Sequence, residues 1–253
     1  MGNGHDPADD VPGRGDGSGE AQHEAPKEAP QVARQEPSPE PSHETLHEGA
    51  APLLAGRSLT EAGPALVLVH GRGGSAEDMF GLARAIGRER FALIAPRARR
   101  ASWYPYSFLA PLASNEPWLS SALTALDDAV AKAGAHGVPA EHIVLLGFSQ
   151  GACLASEYVA RNPKRYGGLV VLSGGLIGPD GTPRDYPGDL DGTPVFLGCS
   201  DVDPHIPVER VHETERVLKG MGGVVETRIY RGMAHTVAED EIEAARALLD
   251  AVS

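Results

Sequence analysis

Short, unbroken apolar runs recur along this chain with stretches of helical spacing between most of them, and that alternation restricts the fold more than any other feature. Ala65-Leu66-Val67-Leu68-Val69, Phe91-Ala92-Leu93-Ile94-Ala95, Ile143-Val144-Leu145-Leu146, Leu169-Val170-Val171-Leu172 and Val195-Phe196-Leu197 contain no polar side chain. A strand with one wet face alternates apolar with polar, so these runs predict strands covered on both faces. Ala76 to Ile86, Leu119 to Ala133, Gly151 to Arg161, Val208 to Leu218 and Ala238 to Val252 read as helices. In the second of these, Leu119, Ala122, Leu123, Leu126 and Val130 fall at helical spacing. Val224 to Tyr230 reads as a last strand, and a long Gly/Pro/Asp loop separates Leu172 from Val195. Strands that alternate with helices predict an α/β fold, a mostly parallel sheet with helices on both faces. It forms one domain over residues 51–253, with no internal repeat.

The residues before that domain have a different chemistry. The 253-residue chain has 35 Asp+Glu against 22 Lys+Arg, a net charge of −13. Residues 1–49 alone hold 11 of those acids, 3 of the bases and 7 of the 21 prolines, with no aromatic residue. Such a composition cannot bury enough apolar surface to offset the entropy of ordering it, which predicts a disordered acidic, Pro-rich tail over residues 1–50. An acidic chain gains nothing from counterion release on nucleic acid, so no nucleic-acid partner is expected. No run approaches the roughly 18 apolar residues that span a bilayer. The first residues lack the basic-then-apolar pattern of a secretory leader, and Cys153 and Cys199 do not make a disulfide framework. The expectation is a cytoplasmic globular protein, an enzyme or a binding module, for which a homodimer is possible.

Gly147-Phe148-Ser149-Gln150-Gly151 sits between a predicted strand and a predicted helix. That is the setting of a G-x-S-x-G nucleophile elbow, in which two residues without Cβ let strand and helix crowd together and leave Ser149 at a strained tip. A serine nucleophile needs a base and the base needs an orienting acid, which follow it here in the order acid, then histidine. Asp203 lies just past the Val195 strand and His235 just past the Val224 strand, both on the edge where open parallel sheets place their sites. Asp201 competes with Asp203 as the acid. Among the ten histidines, His5, His23, His43 and His47 fall in the tail, His136 and His142 flank a strand start, and His212 reads as helix surface. His205 is close to Asp203 along the chain, and His70 belongs to a different turn.

That turn, His70-Gly71-Arg72-Gly73-Gly74, continues to Ala76 as G-x-G-x-x-A and imitates a dinucleotide fingerprint. The next strand ends Ala95-Pro96-Arg97, with no acid for a ribose, so an oxyanion hole is the better reading. The backbone N–H groups of Arg72 and Gln150 would cradle the developing negative oxygen, leaving the side chain after Gly71 free to be anything. Five of the 13 aromatic residues (Trp103, Tyr104, Tyr106, Phe108 and Trp118) cluster in a loop after a strand and are expected to line an apolar substrate pocket beside Ser149. No residue cluster has metal-site spacing, and serine chemistry calls for neither metal nor cofactor.

Together, Leu68-Val69-His70-Gly71-Arg72-Gly73-Gly74, Gly147-Phe148-Ser149-Gln150-Gly151, Asp203-Pro204-His205-Ile206-Pro207 and Gly232-Met233-Ala234-His235 resemble the phospholipase/carboxylesterase family of α/β-hydrolases. That family includes small bacterial carboxylesterases and acyl-protein thioesterases. The resemblance runs from about Ala65 to the C-terminus. It implies the α/β-hydrolase fold, a Ser149 nucleophile, a His235 base, an Asp203 orienter and Arg72 and Gln150 oxyanion donors. The expected function is serine-dependent hydrolysis of small to medium carboxylic esters through an acyl-enzyme. Alternatives are an acyl thioesterase or lysophospholipase of the same fold, and a hydrolase-fold binding module without turnover.

Overall fold

Seven strands account for every apolar run singled out in the sequence, plus one more. The computed structural model describes residues 46–47, 50–61, 63–87 and 89–252. The strands are β1 (Leu53–Gly56), β2 (Ala65–Val69), β3 (Ala92–Ala95), β4 (Ile143–Phe148), β5 (Gly168–Leu172), β6 (Pro194–Ser200) and β7 (Val224–Tyr230). They form one sheet in the order β1-β3-β2-β4-β5-β6-β7. All neighbours are parallel except β1, which runs antiparallel to β3 at the edge. β1 was not expected. Its four residues, Leu53-Leu54-Ala55-Gly56, are all apolar although their burial alternates, so the sequence carries no two-residue period that would mark a half-buried edge strand.

Helices α1 (Ala76–Ile86), α2 (Trp118–Ala135), α3 (Gln150–Arg161), α4 (Val208–Gly220) and α5 (Glu239–Asp250) cover both faces. Strand periodicity decides which residues each face receives. Ala65, Val67 and Val69 of β2 and Ile143 and Leu145 of β4 pack with α2, α3 and α4. Leu66, Leu68, Val144 and Leu146 point the other way, against Met79, Ala83 and Ile86 of α1 and Ala245 and Leu249 of α5. This double coverage is why the central strands are apolar at every position. Helix α1 is bounded as its sequence suggests. The Ser75 hydroxyl accepts from the Asp78 N–H at 3.2 Å, the Asp78 carboxylate accepts from the Ser75 N–H at 2.8 Å, and Gly87 ends the helix at φ 70°.

Of the disordered tail expected over residues 1–50, residues 1–45, 48 and 49 lie outside the described residues. Leu46 and His47 are buried on the folded body. The His47 ring donates from Nε2 to the Trp103 carbonyl at 2.7 Å and accepts at Nδ1 from the Arg99 N–H at 3.0 Å, while its own N–H donates to the Ser121 hydroxyl at 3.0 Å. Composition averaged over a window cannot register two anchoring residues at its end. No helix among the described residues is long and apolar enough to cross a membrane.

One buried carboxyl ties the start of α5 to the sheet. Glu241 is fully buried, accepts the Ala238 N–H at 2.7 Å through Oε2, and packs Oε1 against Gly198 of β6 with no hydrogen-bond donor among the described residues. Burial raises its pKa from the usual 4.5 to about 7, despite the opposing Ala238 N–H. The folded state therefore holds a proton that the unfolded chain has released, and stability falls as pH rises from 4.5 through about 7, then levels off. Glu241→Gln keeps the acceptor and removes the charge. Urea unfolding should show it up to about 2–3 kcal/mol more stable than wild type at pH 8 and nearly equal at pH 4.5, with the wild-type slope gone.

Candidate active site

The carboxyl ends of β4, β6 and β7 bring together three residues far apart in the chain. Ser149 follows β4 directly, with φ 54° and ψ −120°, a conformation that strains a non-glycine residue. The surroundings impose it. Its N–H donates to the Leu172 carbonyl of β5 at 2.9 Å, and its carbonyl accepts the Cys153 N–H at 3.0 Å. A Cβ on Gly151 would collide with the Val69 and His70 carbonyls, and one on Gly147 would collide with Gly151. Both glycines of the motif are therefore required by close approach of backbone to backbone.

His235 places Nε2 2.9 Å from Ser149 Oγ and Nδ1 2.7 Å from Asp203 Oδ2. The Asp203 side chain has no exposed surface. Burial alone would raise its pKa, but the hydrogen bond from His235 and the N–H groups of His205 and Ile206, at 2.8 and 3.0 Å from Oδ1, outweigh it and hold the carboxyl below its usual range. The competitor Asp201 is exposed and accepts the Gly232 N–H at 2.7 Å, bracing the loop that carries His235. Of the two aspartates, Asp203 is the one that meets the imidazole.

The Arg72 and Gln150 N–H groups carry no hydrogen bond to any of the described residues. Gly71 packs against the elbow, where a Cβ would lie 3.2 Å from that of Ser149. The Arg72 side chain is not free to be anything, contrary to expectation. Its guanidinium donates to the Ser102 hydroxyl and the Pro105 carbonyl, each at 3.0 Å, and to the Tyr104 and Tyr106 carbonyls at 2.8 and 2.7 Å. A sequence argument about backbone donors has no means of registering this.

A cavity of about 440 Å³ opens beside Ser149 and His235. Tyr104, Tyr106 and Phe108 line it as expected, with Phe148, Cys153, His205 and Ile206, which the sequence did not suggest. Trp103 and Trp118 do not line it. Trp103 is fully buried, with Nε1 donating to the His70 carbonyl at 2.8 Å and its N–H to Gln150 Oε1 at 2.9 Å. Trp118 begins α2 and packs on the core beneath. Clustering in sequence could not separate wall from foundation. His205, set aside for its nearness to Asp203, meets the His235 ring edge-on at 4.9 Å. Burial pushes the Cys153 thiol up to about 12, so this wall residue is not a thiolate at neutral pH. Phe108 is held from behind by the Gly178 N–H on its carbonyl at 2.7 Å and by the buried Arg210 guanidinium 5.9 Å from its ring.

A mostly parallel sheet with a strained serine at the end of its central strand is the α/β-hydrolase arrangement. The sequence pattern of the phospholipase/carboxylesterase family matches residues 57–253, and the chain belongs to that family. A crystal structure of a phospholipase/carboxylesterase from Dyadobacter fermentans is 42% identical, with a TM-score of 0.77 over 79% of this chain and 96% of that one. Acyl-protein thioesterase 1 of Saccharomyces cerevisiae is 34% identical over 109 residues, 42% of this chain and 48% of that protein. A probable carboxylesterase of Oryza sativa subsp. japonica is 32% identical over 146 residues, 56% of this chain and 54% of that protein. The chain thus spans about half the length of these curated relatives.

Two glycine substitutions should move stability in opposite directions. Gly151→Ala should lose about 3 kcal/mol or fail to fold, because its Cβ meets the β2 backbone. Gly81→Ala, in the interior of α1 with open space at its Cβ position, should gain about 0.5–1 kcal/mol. Urea denaturation of both variants checks the pair.

Proposed function

We propose that this protein is a serine carboxylic-ester hydrolase in which Ser149, His235 and Asp203 act as nucleophile, base and orienting acid. The observation that carries the reading is the continuous chain from Ser149 Oγ to His235 Nε2 at 2.9 Å and from His235 Nδ1 to Asp203 at 2.7 Å. Ser149 Oγ attacks the ester carbonyl carbon while His235 Nε2 takes its proton. The Arg72 and Gln150 N–H groups receive the oxyanion, at the N-terminus of α3 where the helix dipole also favours negative charge. His235 passes its proton to the departing alcohol oxygen and the acyl-enzyme remains. Water then gives a proton to His235 and adds to the acyl carbon. When that intermediate collapses, the proton returns to Ser149 and the carboxylic acid leaves. Asp203, held ionised by its hydrogen bonds, fixes the imidazole and stabilises its charged form without taking a proton itself.

The aromatic cavity of about 440 Å³ suits small to medium acyl groups. Acetyl and butyryl p-nitrophenyl esters should turn over faster than the palmitoyl ester. The names of the yeast relatives favour a thioesterase as second reading, and preference for palmitoyl thioester over its matched oxyester would replace the first by it. Ser149→Ala should lose at least about 10⁴-fold in kcat, and a fluorophosphonate should label wild type but not this variant. An unlabelled, folded wild type would leave only a binding role. Asp203→Asn should lose about 10³–10⁴-fold, whereas Asp201→Asn, which keeps an acceptor for Gly232, should stay within about tenfold of wild type.

A further inference from the structure

We propose that the Arg72 side chain is a positioning residue for the oxyanion hole: its guanidinium joins the turn bearing the Arg72 N–H to the loop over residues 102–106, so that the donor and the aromatic wall are placed as one unit. This rests on the serine-hydrolase reading above.

Four oxygens of one short loop face the guanidinium, at 2.7 to 3.0 Å. The Tyr104 carbonyl is the centre of the arrangement. Besides Arg72 Nη2 it accepts from Gln150 Nε2 at 2.8 Å and from the Ser102 hydroxyl at 3.0 Å. Gln150 grips the loop a second time, since its Oε1 accepts the Trp103 N–H at 2.9 Å. The two residues whose backbone N–H groups flank Ser149 therefore hold the same loop with their side chains. The neighbouring Gly73 N–H adds a bond to the Ala101 carbonyl at 2.7 Å. The loop needs such restraint, because Arg100 and Ala101 lie at φ 55° and 54°, which non-glycine residues keep only when their surroundings impose it.

All four acceptors that the guanidinium meets are neutral. What it supplies is therefore the planar fork as much as the charge. A lysine at this position carries the same charge as a single point and cannot span four acceptors. A donor displaced by a fraction of an ångström from the oxyanion loses its effect on the transition state more than on the ground state, so the cost falls on kcat.

The test is steady-state kinetics of Arg72→Lys and Arg72→Met with p-nitrophenyl acetate and p-nitrophenyl butyrate, alongside thermal melts. Both variants should lose about ten- to hundredfold in kcat, by a similar factor for the two esters and with a smaller change in KM. Arg72→Lys within threefold of wild type, or a loss confined to KM for the larger ester, would overturn the proposal. Should Arg72→Met not fold, Arg72→Lys and Ser102→Ala, which weaken the fork without emptying its site, are read by the same measure. Fluorophosphonate labelling separates the two levels of the argument. A wild type that is not labelled sinks the hydrolase reading and this one with it; a labelled wild type matched in rate by Arg72→Lys sinks the positioning role alone.

Discussion

Where β4 gives way to α3, the Gly151 backbone passes against the Val69 and His70 carbonyls at the end of β2, closer than any side-chain-bearing residue allows. The other features of the site depend on that approach. It turns the chain sharply enough to leave Ser149 at φ 54°, aimed away from the sheet and toward His235. It also sets the first turn of α3 beside the glycine-rich turn after β2, where the Gly71 backbone packs against Ser149. Helix α3 is buried along almost its whole length, and half of its twelve residues are the small Ala, Gly, Cys and Ser. Its buried Glu157 is met by Arg161 and by the Ile177 N–H. A central, buried helix carries the serine at its N-terminal end.

Around that helix the polar residues divide the work of holding loops. Asp203 takes its hydrogen bonds from the imidazole and from two N–H groups of its own loop, which fix the direction of the carboxylate. Asp201 fixes the loop of His235 through Gly232. Glu241 fixes the segment after it through Ala238. His70, whose ring donates to the Gly71 carbonyl and accepts from the Ala98 N–H, joins the turns after β2 and β3; burial lowers its pKa below the usual histidine range. Each acts on backbone groups, so each serves whatever substrate the site receives.

Sequence patterns revealed the parts of this molecule that obey a period or a crowding rule. The doubly covered strands were visible because every position from Ala65 to Val69 is apolar, and the elbow because Gly147 and Gly151 bracket a serine between strand and helix. The strand ends that carry Asp203 and His235 followed from chain order. The choice between Asp203 and Asp201 turned on side-chain direction two residues apart, which no period encodes. β1 escaped because Leu53-Leu54-Ala55-Gly56 is apolar throughout while its burial alternates, so its sequence has no two-residue period to read. The aromatic cluster misled in part. Trp103 and Tyr104 are consecutive, yet one supports the β2 turn from below and the other faces the cavity. Arg72 and Gln150 were read for their backbones, and their side-chain roles exist only once the 102–106 loop is folded over them.

The imidazole of His47 gives the edge of this domain a sharper meaning than composition does. It fills a gap between the Arg99 N–H and the Trp103 carbonyl, on the far side of the loop that Arg72 and Gln150 grip. With Trp103 and Trp118 each 5.4 Å from its ring, it is the outermost piece of the aromatic cluster rather than the last residue of a linker. A chain shortened at the change in composition would keep Ser149, His235 and Asp203 and still expose two backbone groups of the loop over residues 99–103. Hydrogen bonds of the folded body reach at least as far as His47, inside the segment that charge and proline content assign to the tail.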